Sequence, residues 1–105
     1  CMWALPGGHL GPLRARFVRT PEDAVRMETL DATPYPPFAA DAPYVPLIAP
    51  KGTLVVLHAR LPHLSGPNTS EASRHAYALH AIEAGAVYPR DNWLRRDDLP
   101  ARGFA

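Results

Sequence analysis

His63 and Arg74 are the two side chains of this sequence whose types and spacing could do chemistry together. They stand eleven residues apart in the stretch Pro62-His63-Leu64-Ser65-Gly66-Pro67-Asn68-Thr69-Ser70-Glu71-Ala72-Ser73-Arg74. A neutral imidazole is a good ligand for a divalent first-row metal. An arginine guanidinium, permanently charged and fork-shaped, is the side chain best suited to gripping a carboxylate. At the ends of neighbouring strands, such a pair points to a metal-assisted enzyme with a carboxylic acid co-substrate. Each residue also has a plainer reading. His63 would be an exposed or capped histidine at a strand end, and Arg74 a member of an ordinary ion pair with Glu71 or Glu83.

The two groups can converge only if the segments carrying them are strands facing one interior. Residues 61–65 read as a brief extended segment closed by Gly66-Pro67, and side-chain parity puts His63 and Ser65 on one face. Residues 74–83 give the longest alternation. One face holds Arg74, Ala76, Ala78, His80 and Ile82, and the other holds His75, Tyr77, Leu79 and Ala81. If the His63 and Arg74 faces meet, His63, Ser65 and Arg74 converge, and the small Ala76 and Ala78 leave space beside them. Residues 53–58, β-branched and apolar after the turn signal Pro50-Lys51-Gly52, form a third expected strand.

The 13 prolines punctuate the chain, and Pro34, Pro36, Pro37, Pro43, Pro46 and Pro50 forbid a helix across the region they crowd. Residues 44–48 are expected there as a short edge strand. Thr20-Pro21-Glu22-Asp23 offers an N-cap hydroxyl, a proline at the first helical position and an acid at the third, which predicts a short helix over 22–30. The expected fold class is mainly β, mostly antiparallel, with long proline-rich connections and that one helix.

At 105 residues the chain is sized for one small domain. With 20% charged residues and a formal net charge of +1, it lacks the footprint of an electrostatic nucleic-acid binder. Arg14, Arg16 and Arg19 are followed at once by Glu22 and Asp23, and Arg95 and Arg96 by Asp97 and Asp98, so both clusters read as solvated faces. No apolar run approaches the roughly 18 residues needed to cross a bilayer, so no membrane partner is expected. One cysteine, Cys1, permits no internal disulfide and favours a reducing, cytoplasmic setting. Asn68 and Ser70 read as turn-satisfying residues, His9, His58, His75 and His80 as structural, and Trp93 as a hydrophobic plug. There is no phosphate-binding glycine loop, cysteine-rich zinc pattern or nucleophile elbow. The opening Cys1-Met2-Trp3-Ala4-Leu5 is apolar with no initiator methionine, and residues 1–105 are expected to be the C-terminal portion of a longer protein.

The chain resembles the phytanoyl-CoA dioxygenase family of Fe(II)- and 2-oxoglutarate-dependent oxygenases. The resemblance begins at Cys1-Met2-Trp3-Ala4-Leu5-Pro6-Gly7-Gly8-His9, similar to a family strand ending in Pro-Gly-Ser-His, with Gly8 in place of the usual serine. It continues through Gly52-Thr53-Leu54-Val55-Val56-Leu57-His58 and the segment from His63 to Arg74, and it closes on Asn92-Trp93-Leu94. His-x-Ser, then Asn-x-Ser, then Arg-x-Ala over a dozen residues is its most specific part.

The resemblance implies a double-stranded β-helix, a jelly roll of cupin-like architecture, of which this chain would supply roughly the last five strands. It implies His63 as the distal histidine of the iron-binding triad and Arg74 as the partner of the far carboxylate of 2-oxoglutarate. It also implies Ser65 as a hydroxyl helping to hold that carboxylate, and Trp3 as an aromatic lining the co-substrate pocket. The partners would be a small-molecule substrate, O2 and the N-terminal part of the same domain. The family's other two iron ligands form a His-x-Asp or His-x-Glu pair, and none of the five histidines here has an acid two residues on. Two other classes compete: a non-enzymatic jelly-roll module that binds a small molecule, and a fragment whose sheet edges are satisfied by another chain.

Overall fold

The computed structural model describes residues 1–103. Five strands account for most of the regular structure: β1 (Met2–Ala4), β2 (Ala15–Arg19), β3 (Val25–Thr29), β4 (Val45–Leu47) and β5 (His63–Ser65). A single 3-10 turn, Gly8–Leu10, is the one helical element among the described residues. The chain is β-rich as expected. It divides into two units, residues 1–13 with 31–74, and residues 14–30 with 75 onward. No helix among the described residues is long and apolar enough to cross a membrane.

In the first unit β1 is the middle strand of an antiparallel sheet in the order β4-β1-β5. Met2, Trp3 and Ala4 face Leu47, Pro46 and Val45 on one side, and Ser65, Leu64 and His63 on the other. Pro46 has no N–H to donate, and β4 tolerates it because it is an edge strand. This short edge strand lies within the expected 44–48, and β5 lies within 61–65. Directly opposed residues share a sheet face. Ala4, Val45 and His63 therefore lie on one face with Met2, Leu47 and Ser65, and Trp3, Pro46 and Leu64 lie on the other. Aromatic packing covers the Trp3 face: Trp3 meets Phe38 edge-on at 5.2 Å between centroids, and Phe38 meets Tyr44 at 6.0 Å. Tyr44 is buried and donates its hydroxyl to the Pro36 carbonyl at 2.9 Å.

The second unit corrects the expected helix over 22–30. Residues 25–29 are instead strand β3, paired antiparallel with β2 from Ala15↔Thr29 to Arg19↔Val25. The residue types that cap a helix also build a tight turn, with proline favoured at its second position. Here Asp23 N–H bonds the Thr20 carbonyl at 3.0 Å, Thr20 N–H bonds the Ala24 carbonyl at 2.8 Å, and Asp23 adopts φ 63°. That left-handed residue reverses the chain, and the alternation Val25-Arg26-Met27-Glu28-Thr29 then pairs as a hairpin. Two arginines of the basic cluster are paired within the unit. Arg16 pairs with Glu28 at 2.5 Å and Asp91 at 2.9 Å, and Arg19 pairs with Asp23 at 2.5 Å. Val18 is buried, and Trp93 packs on Phe17 at 5.7 Å between ring centroids, although both rings remain exposed and Trp93 is not the buried plug expected.

Two expected strands, 53–58 and 74–83, are not strands here. Both are mostly exposed, with Leu54 at 85%, Val56 at 84%, Tyr77 at 90% and Leu79 at 80%. Alternation makes a segment fit for a sheet, but a strand also needs a neighbour to complete its hydrogen-bond ladder. Neither segment finds one among the described residues. The strands among the described residues form one three-stranded and one two-stranded sheet, and β2 and β3 lie in residues 15–29, where no strand is expected from the sequence. Tyr44→Phe removes only the hydroxyl that ties the aromatic group to Pro36, and should lower stability by about 1 kcal/mol. A urea melt monitors this directly, and an unchanged midpoint would show that the bond contributes nothing.

Candidate functional site

His63 opens β5, and its orientation is set by its own backbone. Its Nδ1 lies 2.9 Å from the Leu61 carbonyl oxygen. A carbonyl only accepts, so Nδ1 carries the proton and donates it. In the neutral ring the lone pair is then on Nε2, the form in which a histidine ligates a metal while its other nitrogen is anchored to the backbone. Pro62 contributes to this arrangement, because the residue before a proline is held extended, which fixes where Leu61 points its carbonyl. The Leu5 N–H donates to the Pro62 carbonyl at 2.9 Å and carries the β1–β5 ladder one step beyond the strand ends. The imidazole is exposed, and Ala4, small and buried, lies opposite it.

Ser65 is on the same face as His63, two residues on, roughly 6.6 Å away at about 3.3 Å per residue. The sheet thus brings a metal-competent nitrogen and a hydroxyl to one side. Trp3 is on the other side, packed on Phe38, so its expected place in a pocket shared with His63 and Ser65 is not formed in this structure. The cause is parity, since Trp3 is directly opposite Leu64.

Arg74 ends the loop that leaves β5. The Asn68 side chain folds that loop: its Nδ2 donates to the Ala72 carbonyl at 2.7 Å, and its Oδ1 accepts from the Ser70 N–H at 3.2 Å. The Ser70 hydroxyl lies 2.8 Å from the same Oδ1. These are the turn-satisfying roles expected of Asn68 and Ser70. Arg74 itself is exposed, with no salt bridge among the described residues. Because 74–83 is not a strand, the expected convergence of Arg74 with His63 across two facing strands is not built here.

The remaining histidines behave structurally where contacts are resolved. The His9 and His58 rings lie 4.9 Å apart, and His58 Nδ1 accepts the Arg60 N–H at 3.1 Å. Among the described residues no group of three or more His, Cys, Asp and Glu side chains could hold a metal ion. The second unit has an open cleft of about 530 Å³ lined by arginines and aspartates, including the Arg19–Asp23 and Arg95–Asp97 pairs. Opposed charges of this kind make a solvated face. Sequence reasoning missed the Leu61 and Pro62 carbonyls, since main-chain groups carry no residue-type signal; Pro62 was the one available clue.

Comparison with known proteins places the chain in a family. The family described as phytanoyl-CoA dioxygenase (PhyH) matches residues 1–76. The chain belongs to this family of dioxygenases. It is 36% identical over 96 residues to phytanoyl-CoA dioxygenase domain-containing protein 1 of Bos taurus, covering 90% of this chain and 32% of that protein. It is 37% identical over 101 residues to phytanoyl-CoA dioxygenase of Arabidopsis thaliana, covering 95% and 34%. It is 38% identical over 101 residues to phytanoyl-CoA dioxygenase 1 of Oryza sativa subsp. japonica, again covering 95% and 34%. The chain thus spans about a third of the length of these curated relatives. No solved structure matches it.

The hydrogen bond to Leu61 makes a specific claim about where the His63 proton resides. Long-range ¹H–¹⁵N spectra of the neutral ring should show His63 as the Nδ1–H tautomer. A ring protonated mainly on Nε2 would contradict the site geometry.

Proposed function

We propose that the full-length protein is an Fe(II)- and 2-oxoglutarate-dependent oxygenase that hydroxylates a small-molecule substrate, with residues 1–105 forming the C-terminal portion of its catalytic domain. Membership of a dioxygenase family supports the reaction class. The observation that carries the reading is the bond from His63 Nδ1 to the Leu61 carbonyl, which leaves Nε2 bare on an exposed face. A facial site needs two imidazoles and a carboxylate. His63 would be one imidazole, and an upstream His-x-Asp or His-x-Glu pair would supply the rest. When bound, iron with 2-oxoglutarate and O2 supplies the oxidation, placing one oxygen atom in succinate and the other in a substrate C–H bond as carbon dioxide leaves.

The chain's own residues hold and orient. His63 offers a ligand whose direction is fixed before the metal arrives, so little ordering remains to be done on binding. Ser65, on the same face, is placed to donate to a carboxylate oxygen of the co-substrate. Arg74 provides the charge-assisted fork for that carboxylate once residues 74–83 pair with strands from the rest of the domain. The exposed alternation of 74–83 supports such pairing, and so does the threefold greater length of the relatives. Trp3 would pack on Phe38 behind the sheet, on the face away from His63. Cys1, free and exposed, fits a reducing compartment such as the cytoplasm.

Two substitutions in the full-length protein test this. His63→Ala should abolish stoichiometric Fe(II) binding; retention of the metal would reject the ligand role. Arg74→Ala should leave iron bound while weakening 2-oxoglutarate by roughly 10- to 150-fold, the equivalent of losing a contact of about 1.5–3 kcal/mol. An unchanged co-substrate requirement would reject the anchor.

A further inference from the structure

The turn after β1 rests against the residue that precedes His63. Gly7 and Gly8 open that turn for different reasons. Gly7 has φ 74°, a left-handed backbone that favours glycine. For Gly8 the constraint is space. A Cβ at position 8 would lie 2.7 Å from Cδ and 2.9 Å from Cγ of Pro62, and 3.3 Å from Cδ2 of Leu5. The leucine methyl could turn aside. Proline Cδ cannot, because it is bonded to its own backbone nitrogen. Nor can the two segments separate without cost, since Leu5 N–H is bonded to the Pro62 carbonyl at 2.9 Å. The family pattern that this stretch resembles has serine at the position of Gly8. Here the ring of Pro62 takes the volume that a serine Cβ would need.

We propose that Gly8 and Pro62 form a coupled positioning pair for His63. The Pro62 ring, seated in the space left at Gly8, fixes the backbone of Leu61, Pro62 and His63. The Leu61 carbonyl then meets Nδ1, and Nε2 is held in one direction. Neither residue touches a metal or substrate; both act through His63. A side chain at position 8 displaces Pro62, and with it the carbonyl that selects the tautomer. Removing the ring at 62 reopens the space. The effect on metal binding rests on the reading of His63 as a ligand, whereas the effect on the tautomer does not.

The test is a mutant cycle in the full-length protein: Gly8→Ser alone, and Gly8→Ser combined with Pro62→Ala. Two readouts are followed, the His63 tautomer from ¹⁵N spectra of the metal-free protein and Fe(II) affinity by competition with a chelating dye. Gly8→Ser should spread His63 over both tautomers and weaken Fe(II) about 10- to 100-fold, the usual loss for a disturbed ligand support. Adding Pro62→Ala relieves the contact at position 8 and should recover part of the single tautomer and of the affinity, though not all, because the ring that holds Leu61 extended is gone. An unchanged tautomer in Gly8→Ser, or a double variant no better than the single one, would overturn the coupling. If Gly8→Ser fails to fold, recovery of folded protein by Pro62→Ala supports the coupling and continued failure overturns it. Should His63→Ala bind Fe(II) like the parent while the tautomer cycle behaves as expected, the ligand reading falls and the coupling stands.

Discussion

The pairing of β1 with β5 is the contact on which the site depends. It is only three residues long, yet it decides which side chains share a face. A slip of one residue would carry His63 from the side of Ala4 to the side of Trp3. The aromatic group prevents this. Trp3 is committed to Phe38, Phe38 to Tyr44, and Tyr44 to the Pro36 carbonyl, so the face that Trp3 occupies is already determined. Ala4, the buried residue of β1, is on the His63 face, so both faces of this sheet carry packing.

The two sheets are stabilised by different means. The β2–β3 hairpin uses local chemistry: a tight turn through Pro21 and Asp23, one buried valine, and Arg16 held between two carboxylates. Hydrogen bonding to Glu28 is the leading reason that the Arg16 pKa lies above its ordinary value, so the guanidinium is charged at any working pH. Exposed ion pairs of this kind add little stability, and their main effect is to fix register. The β4-β1-β5 sheet relies on packing instead, with the Trp3–Phe38–Tyr44 cluster on one face and buried Ala4 beside exposed His63 on the other. No side chain among the described residues is fully buried. Residues 53–58 and 74–83 are correspondingly sheet-compatible in pattern and unpaired in place. Their apolar side chains need strands from elsewhere before they can leave water.

The local geometry around position 63 was legible in the sequence, and for identifiable reasons. His63 and Ser65 share a face because their spacing is two, a property of any strand that forms. Asn68 and Ser70 close the following turn because short amide and hydroxyl side chains reach their own backbone. Proline confined residues 44–48 to an edge. What failed were inferences that needed a partner or a competitor. The helix over 22–30 failed because Thr-Pro-Glu-Asp serves a turn as well as a cap, and pairing with β2 settled the competition. The strands at 53–58 and 74–83 failed because periodicity describes one segment and a ladder requires two. Trp3 was assigned by resemblance without a register, and only the register reveals its side. The Leu61 carbonyl and the Gly8–Pro62 contact were invisible, since one is main chain and the other is an absent atom.

The central claim is that a backbone-fixed imidazole at position 63 and a guanidinium at position 74 serve one metal and one co-substrate. A crystal structure of the full-length protein with Mn(II), as an inert stand-in for Fe(II), and 2-oxoglutarate tests it most directly. The expected result has His63 Nε2 on the metal, Nδ1 still on the Leu61 carbonyl, and Arg74 paired with the far carboxylate of the co-substrate. A structure with the metal held by other residues and His63 facing solvent would contradict the account.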